Sequence, residues 1–151
     1  MVDSKSKGTR NEYAVRDLLK EATGLGWERV PGSGGFGAMH GLKGDIYLPS
    51  STGKISNYTI EVKAYAEDVI TSNLLNPTVS QLEKFWEQTT REAGQMNNKP
   101  MLVFKKDRSK FLVALLEELP INSITFSKNG TTFHIYRFEE ALQYLIPVIC
   151  R

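Results

Sequence analysis

Apolar residues recur at helical spacing over residues 11–23, where Val15, Leu18, Leu19 and Ala22 share one face. Gly24 and Gly26 end that run. A short strand is predicted at 27–30. The stretch PGSGGFGAMHGLKG, residues 31–44, has no period and predicts a loop. Residues 45–48 and 58–65 alternate apolar and polar positions around the turn-rich PSSTGKISN, which predicts an antiparallel hairpin. In its second strand Ile60, Val62 and Ala64 face the core, and Glu61, Lys63 and Tyr65 face the other way. A second helix begins near Thr78 or Ser80, since Thr78-x-x-Gln81 and Ser80-x-x-Glu83 are both capping-box patterns. Leu82, Phe85, Trp86, Thr89 and Ala93 form its apolar stripe. Residues 101–104 and 111–116 read as buried strands around the polar turn KKDRSK. Residues 124–127 and 132–136 flank Asn129-Gly130, a two-residue hairpin signal. A last helix over 138–145 stops before Pro147. The order αβββαββ, then a hairpin and a helix, predicts an α/β fold with a mixed sheet flanked by helices.

Composition narrows this picture without changing it. The 151 residues suit a single domain. A net charge of +2 does not mark a nucleic-acid binder, so any DNA-binding surface has to come from local clustering. Residues 3–10, DSKSKGTR, are polar and basic and are expected to form a mobile arm. The single cysteine, Cys150, excludes an intrachain disulfide and fits a reducing, cytoplasmic setting. The opening residues lack the apolar core of a signal peptide, and no apolar run has the length of a membrane span.

The chemistry concentrates on the first hairpin. Folding it back at Gly53 sets Asp45 opposite Glu61. Two carboxylates in that position repel, and a divalent cation between them reverses the sign. Lys63 follows Glu61 by two residues and shares its face. This set predicts metal-assisted attack on a phosphodiester. Asp45 and Glu61 supply carboxylates to Mg²⁺, and the backbone carbonyl of Val62 can add an oxygen. Lys63 orients a water or stabilises the developing oxyanion. A one-residue slip in register would separate the two acids. Glu12 lies three and seven residues before Val15 and Leu19 and shares their buried side. It is either a third acid of the site or a helix-start glutamate stabilised by the dipole. In the glycine-rich loop, Ser33 and Gly34 are candidate phosphate contacts; the run is neither a P-loop nor a dinucleotide fingerprint. His40 is a weaker contact of the same kind. Lys5, Lys7, Arg10, Arg16, Lys43 and Lys54 form one basic group and Lys105, Lys106, Arg108 and Lys110 another, each able to neutralise phosphates.

Taken together, K-G-T-R-N-E, P-G-S-G, G-D-I, E-V-K-A and S-Q-L resemble the archaeal-type Holliday-junction resolvases of the PD-(D/E)XK nuclease superfamily, over roughly residues 7–116. The resemblance implies a restriction-endonuclease-like sheet core and a Mg²⁺-dependent endonuclease, with Mn²⁺ able to substitute. It also implies a homodimer that nicks opposed strands of branched, four-way DNA. On this likeness Glu12, Asp45, Glu61 and Lys63 carry the catalytic roles, Ser33 matches the loop serine and Gln81 a glutamine beside the site. The likeness is compatible with a phage-encoded resolvase acting in the host cytoplasm. Gly44 stands where the superfamily's motif has proline, and nothing after Leu116 matches. The other readings are a restriction- or repair-type nuclease acting on duplex DNA, a non-catalytic junction-binding module, and a phosphate-binding protein built on the glycine loop.

Overall fold

The computed structural model describes residues 4–31 and 41–151, with side chains from Lys7 onward. The predicted loop residues Ser33, Gly34 and His40, and the Lys5 side chain, lie outside the described residues. Helix α1 spans Ser4–Thr23. Two short strands follow, β1 (Glu28–Arg29) and β2 (Ile46–Tyr47), then the long β3 (Tyr58–Tyr65). Helix α2 (Gln81–Gln95) leads into β4 (Lys99–Lys106) and β5 (Leu112–Leu115). The chain closes with β6 (Ile124–Lys128), β7 (Thr131–Arg137) and α3 (Phe138–Leu145).

The expected mixed sheet is present. Its seven described strands run in the order β1-β2-β3-β4-β5-β7-β6. Among the described strands only β3 and β4 pair in parallel, because α2 carries the chain back across the sheet between them. The β6–β7 hairpin turns at Asn129 and Gly130, both with positive φ (51° and 81°), as a tight primed turn requires.

Helices cover both faces. On one, α1 and α3 bury Val15, Leu19, Phe138 and Leu145 against Ile60, Val62, Val103 and Val113. On the other, α2 buries Leu82 and Trp86 against Leu102, Phe104, Phe133 and Ile135. Alternation along β3 divides it accordingly. Ile60 and Val62 enter the first core, while Glu61 and Tyr65 go beneath α2. Ser80 caps α2 through the predicted box: its hydroxyl accepts from the Glu83 N–H, and the Glu83 carboxylate accepts from the Ser80 N–H.

One expectation is overturned. Residues 4–10 are not a mobile arm but the first two turns of α1. Their charge pattern carries no helical period, so the sequence gives no sign of it. A distant contact holds them: Lys7 Nζ lies 2.7 Å from an Asp107 carboxylate oxygen in the β4–β5 turn. Asn11, nearly fully buried, adds a hydrogen bond from its side-chain amide to the Lys7 carbonyl.

Candidate active site

Ile46 pairs with Ile60 across the hairpin, which puts Asp45 opposite Glu61. Three hydrogen bonds with backbone groups fix Asp45. Its N–H donates to the Ile60 carbonyl (2.7 Å) and its carbonyl accepts from the Val30 N–H (2.8 Å). Its Oδ2 accepts from the Val62 N–H at 2.8 Å. Val62 therefore serves this site through its amide.

Gly44 makes that approach possible. Its φ is +85°, and a Cβ on it would stand 2.8 Å from the Ile60 carbonyl oxygen. Proline is locked near φ of about −65° and cannot adopt this conformation. The departure from the proline-aspartate motif is thus a requirement of the local backbone.

Glu61 is 3% exposed and faces α2. There its carboxyl hydrogen-bonds with both Asp45 and Glu92. Burial, the Glu92 contact and the Asp45 charge push the Glu61 carboxyl far above the usual range, so it holds a proton when no cation is present. Burial also raises Asp45, against the lowering effect of bonds from Glu61 and the Val62 amide. Glu92 Oε2, itself buried, has no hydrogen-bond partner, which is costly in a folded interior.

Lys63 projects from the same face, its Nζ 5.5 Å from the centroid of the Phe85 ring. Phe85 stacks on Tyr65 with centroids 5.7 Å apart, so the lysine stem runs along an aromatic wall. Gln81 is exposed in the first turn of α2 and lines a cavity of about 730 Å³ with Tyr65 and Phe85.

Glu12 comes close enough to Asp45 and Lys63 for their charges to act on it. Its Oε1 is held by Arg29 Nε at 2.6 Å, with both side chains largely buried. Burial first, then the Asp45 charge, raise its carboxyl despite that arginine. Of the predicted DNA contacts, Lys7 is engaged by Asp107, while Arg10 and Lys43 are exposed.

Sequence reasoning missed Arg29 and Glu92. A signal for Glu92 existed: it lies three and seven residues after Thr89 and Phe85, on the buried stripe of α2. Arg29, on a two-residue strand, had no such signal.

The donors here are carboxylate oxygens, the chemistry of a hard dication such as Mg²⁺ or Mn²⁺. Among the described residues no group of three or more acids, histidines or cysteines is already gathered around one point. Asp45 and Glu61 fit the set of one or two carboxylates that Mg²⁺ usually takes alongside waters and phosphate oxygens. The crowded acids and the orphaned Glu92 oxygen are the features that such a cation would relieve.

Residues 3–149 match the family described as "Phage putative PDDEXK endonuclease". The chain belongs to that family. Protein D14 of Escherichia phage T5 is 63% identical over 114 residues, 76% of this chain and 71% of that protein. Among solved structures, that of Archaeoglobus fulgidus Hjc, a Holliday junction resolvase from an archaeal hyperthermophile, is 19% identical. It aligns with a TM-score of 0.48 over 91% of this chain and 97% of its own. This member of the PDDEXK family is a nuclease, and nucleases of its superfamily generally depend on a divalent metal.

Proposed function

We propose that this nuclease resolves four-way DNA junctions by Mg²⁺-dependent phosphodiester hydrolysis, as a homodimer placing paired nicks. The observation that carries the hydrolytic part is the opposition of Asp45 and Glu61 across the hairpin, with Lys63 on the same face. Asp45 is fixed by backbone bonds, so it keeps its position as charge changes around it. Asp45 and Glu61 would hold the cation, Glu61 giving up its proton so that its carboxylate could join. Mg²⁺ held there would lower the pKa of a water and neutralise charge on the phosphate. The Lys63 ammonium stabilises negative charge building on the phosphoryl oxygens. Phe85 keeps the stem of Lys63 from swinging away. Glu12 and Arg29 form a charged pair at the edge, where Arg29 can exchange Glu12 for a phosphate oxygen. Ser33, Gly34, Gln81, Arg10 and Lys43 contact the DNA backbone.

The junction part is supported by the likeness of K-G-T-R-N-E, P-G-S-G and E-V-K-A to the resolvases. A two-fold dimer suits it, since paired sites then meet the pseudo-symmetric arms of one junction. Incubation with labelled four-way junction and matched duplex, in Mg²⁺ and in EDTA, tests the reading. Symmetric nicks in the junction alone, dependent on Mg²⁺, are expected. Equal cutting of duplex would move the assignment to a restriction- or repair-type nuclease.

A further inference from the structure

A cavity of about 510 Å³ opens beside the acids, and among the described residues no Asp or Glu lines it. Tyr47, Thr59 and Met96 are part of its wall. Each is one step along its own element from an acid of the site. Tyr47 follows Asp45 by two residues, Thr59 precedes Glu61 by two, and Met96 follows Glu92 by one helical turn. The hairpin register places Tyr47 and Thr59 side by side, on the face shared by Asp45 and Glu61. This part of the cavity wall therefore lies about 7 Å along the strands from the acids, the length of one nucleotide.

Its chemistry is the reverse of its neighbour's. Lys43, Lys54 and Arg151 line it, although the whole chain has 19 basic and 17 acidic residues. Arg151 is held in place by a bond from its guanidinium to the Asn57 side-chain carbonyl. Leu48, Ile55 and Met96 make the rest of the surface largely apolar. Cations at the rim and an apolar interior suit a phosphate joined to a base.

We infer that this cavity receives the nucleotide next to the scissile phosphate, with its base turned out of the stack and its phosphate among Lys43, Lys54 and Arg151. The inference rests on the nuclease reading above. It adds to that reading a subsite that holds the strand in line with the acids. A base splayed at a branch point or strand end enters at lower unstacking cost than one inside a duplex.

Binding of labelled junction is measured in Ca²⁺ for Lys54→Glu and for Lys84→Glu. The second variant makes the same charge change at an exposed site on α2 away from the cavity. Lys54→Glu is expected to weaken binding roughly tenfold and reduce the salt slope by about one. Lys84→Glu is expected to change affinity less than about twofold. Equal losses in the two variants would overturn the subsite. In a second measurement, 2-aminopurine is scanned through the nucleotides flanking the cut. Wild type should raise its fluorescence at one adjacent position, and Met96→Trp, which fills the cavity, should abolish that rise. A flat scan in wild type would also overturn the proposal. If wild type itself neither binds nor cuts DNA, the nuclease reading fails; if it cuts normally while Lys54→Glu matches Lys84→Glu, only the subsite fails.

Discussion

Replacing Gly44 with alanine tests whether the hairpin really brings two backbones so close. Two costs arise at this position. A non-glycine residue at φ of +85° costs about 1–2 kcal/mol. The new Cβ would also meet the Ile60 carbonyl oxygen at 2.8 Å and the Ile60 nitrogen at 3.2 Å. Relieving such overpacking costs roughly 1–3 kcal/mol, and it strains the Asp45 N–H bond to the same carbonyl. The expected total is about 3 kcal/mol, a large share of the stability of an ordinary domain. Gly24→Ala supplies the comparison. Gly24 has φ of +72° but nothing within 4 Å of its Cβ position, so only the backbone cost of about 1 kcal/mol applies. Urea unfolding is followed by fluorescence of the buried Trp27 and Trp86. With a urea m-value near 2 kcal/mol/M, Gly44→Ala should lower the midpoint by about 1.5 M and Gly24→Ala by about 0.5 M. Equal midpoints for the two variants at unchanged m would refute the close approach and the explanation of glycine in place of proline.

On the junction-resolving proposal, Asp45→Asn should abolish cutting while leaving affinity within a few-fold; unchanged cutting would remove Asp45 from the reaction. Glu92→Gln removes a buried, unpartnered carboxylate oxygen and should raise the Tm of the metal-free protein by a few degrees, at about 2–4 °C per kcal/mol. The same variant should weaken Mn²⁺ binding by roughly tenfold in titration calorimetry, and a lower Tm with unaltered Mn²⁺ affinity would contradict this view of Glu92. The pH dependence follows from Glu61, whose folded pKa lies above its unfolded value. Folded protein then holds the extra proton, so metal-free stability is greatest below the unfolded pKa and declines as pH rises toward the folded one. Denaturation midpoints measured from pH 6 to pH 8 should fall, and a rise would show Glu61 to be ionised. Across the same window Mn²⁺ affinity should increase by up to about tenfold per pH unit as the cation displaces that proton.

Where local signals were strong, the fold was legible in the sequence. Alternation placed β3 at residues 58–65, and the apolar spacing before Pro147 placed α3 at 138–145. The hairpin pairing followed from counting to Gly53, which correctly set Asp45 against Glu61. The start of α1 was illegible because its support is the Lys7–Asp107 contact, made 100 residues away in sequence. Glu12 and Arg29 illustrate a second limit. Periodicity indicated that Glu12 faces inward, but its arginine partner comes from a two-residue strand with no pattern of its own. The proximity of Glu92 to Glu61 depends on how α2 lies across β3. The spacing of Glu92 could only have suggested that it points inward.

The entry to β3 is stitched to residues 149–151, almost a hundred positions further along the chain. Ile55 and Arg151 exchange N–H···O=C bonds of 2.7 and 2.8 Å, and the Asn57 N–H donates to the Ile149 carbonyl at 2.9 Å. A ribosome making about 5–20 residues per second delivers that second half several seconds after the first. Until then the strand carrying Glu61 and Lys63 is unclasped at its base. Cutting competence should therefore wait until residues 149–151 have emerged and paired with residues 55–57.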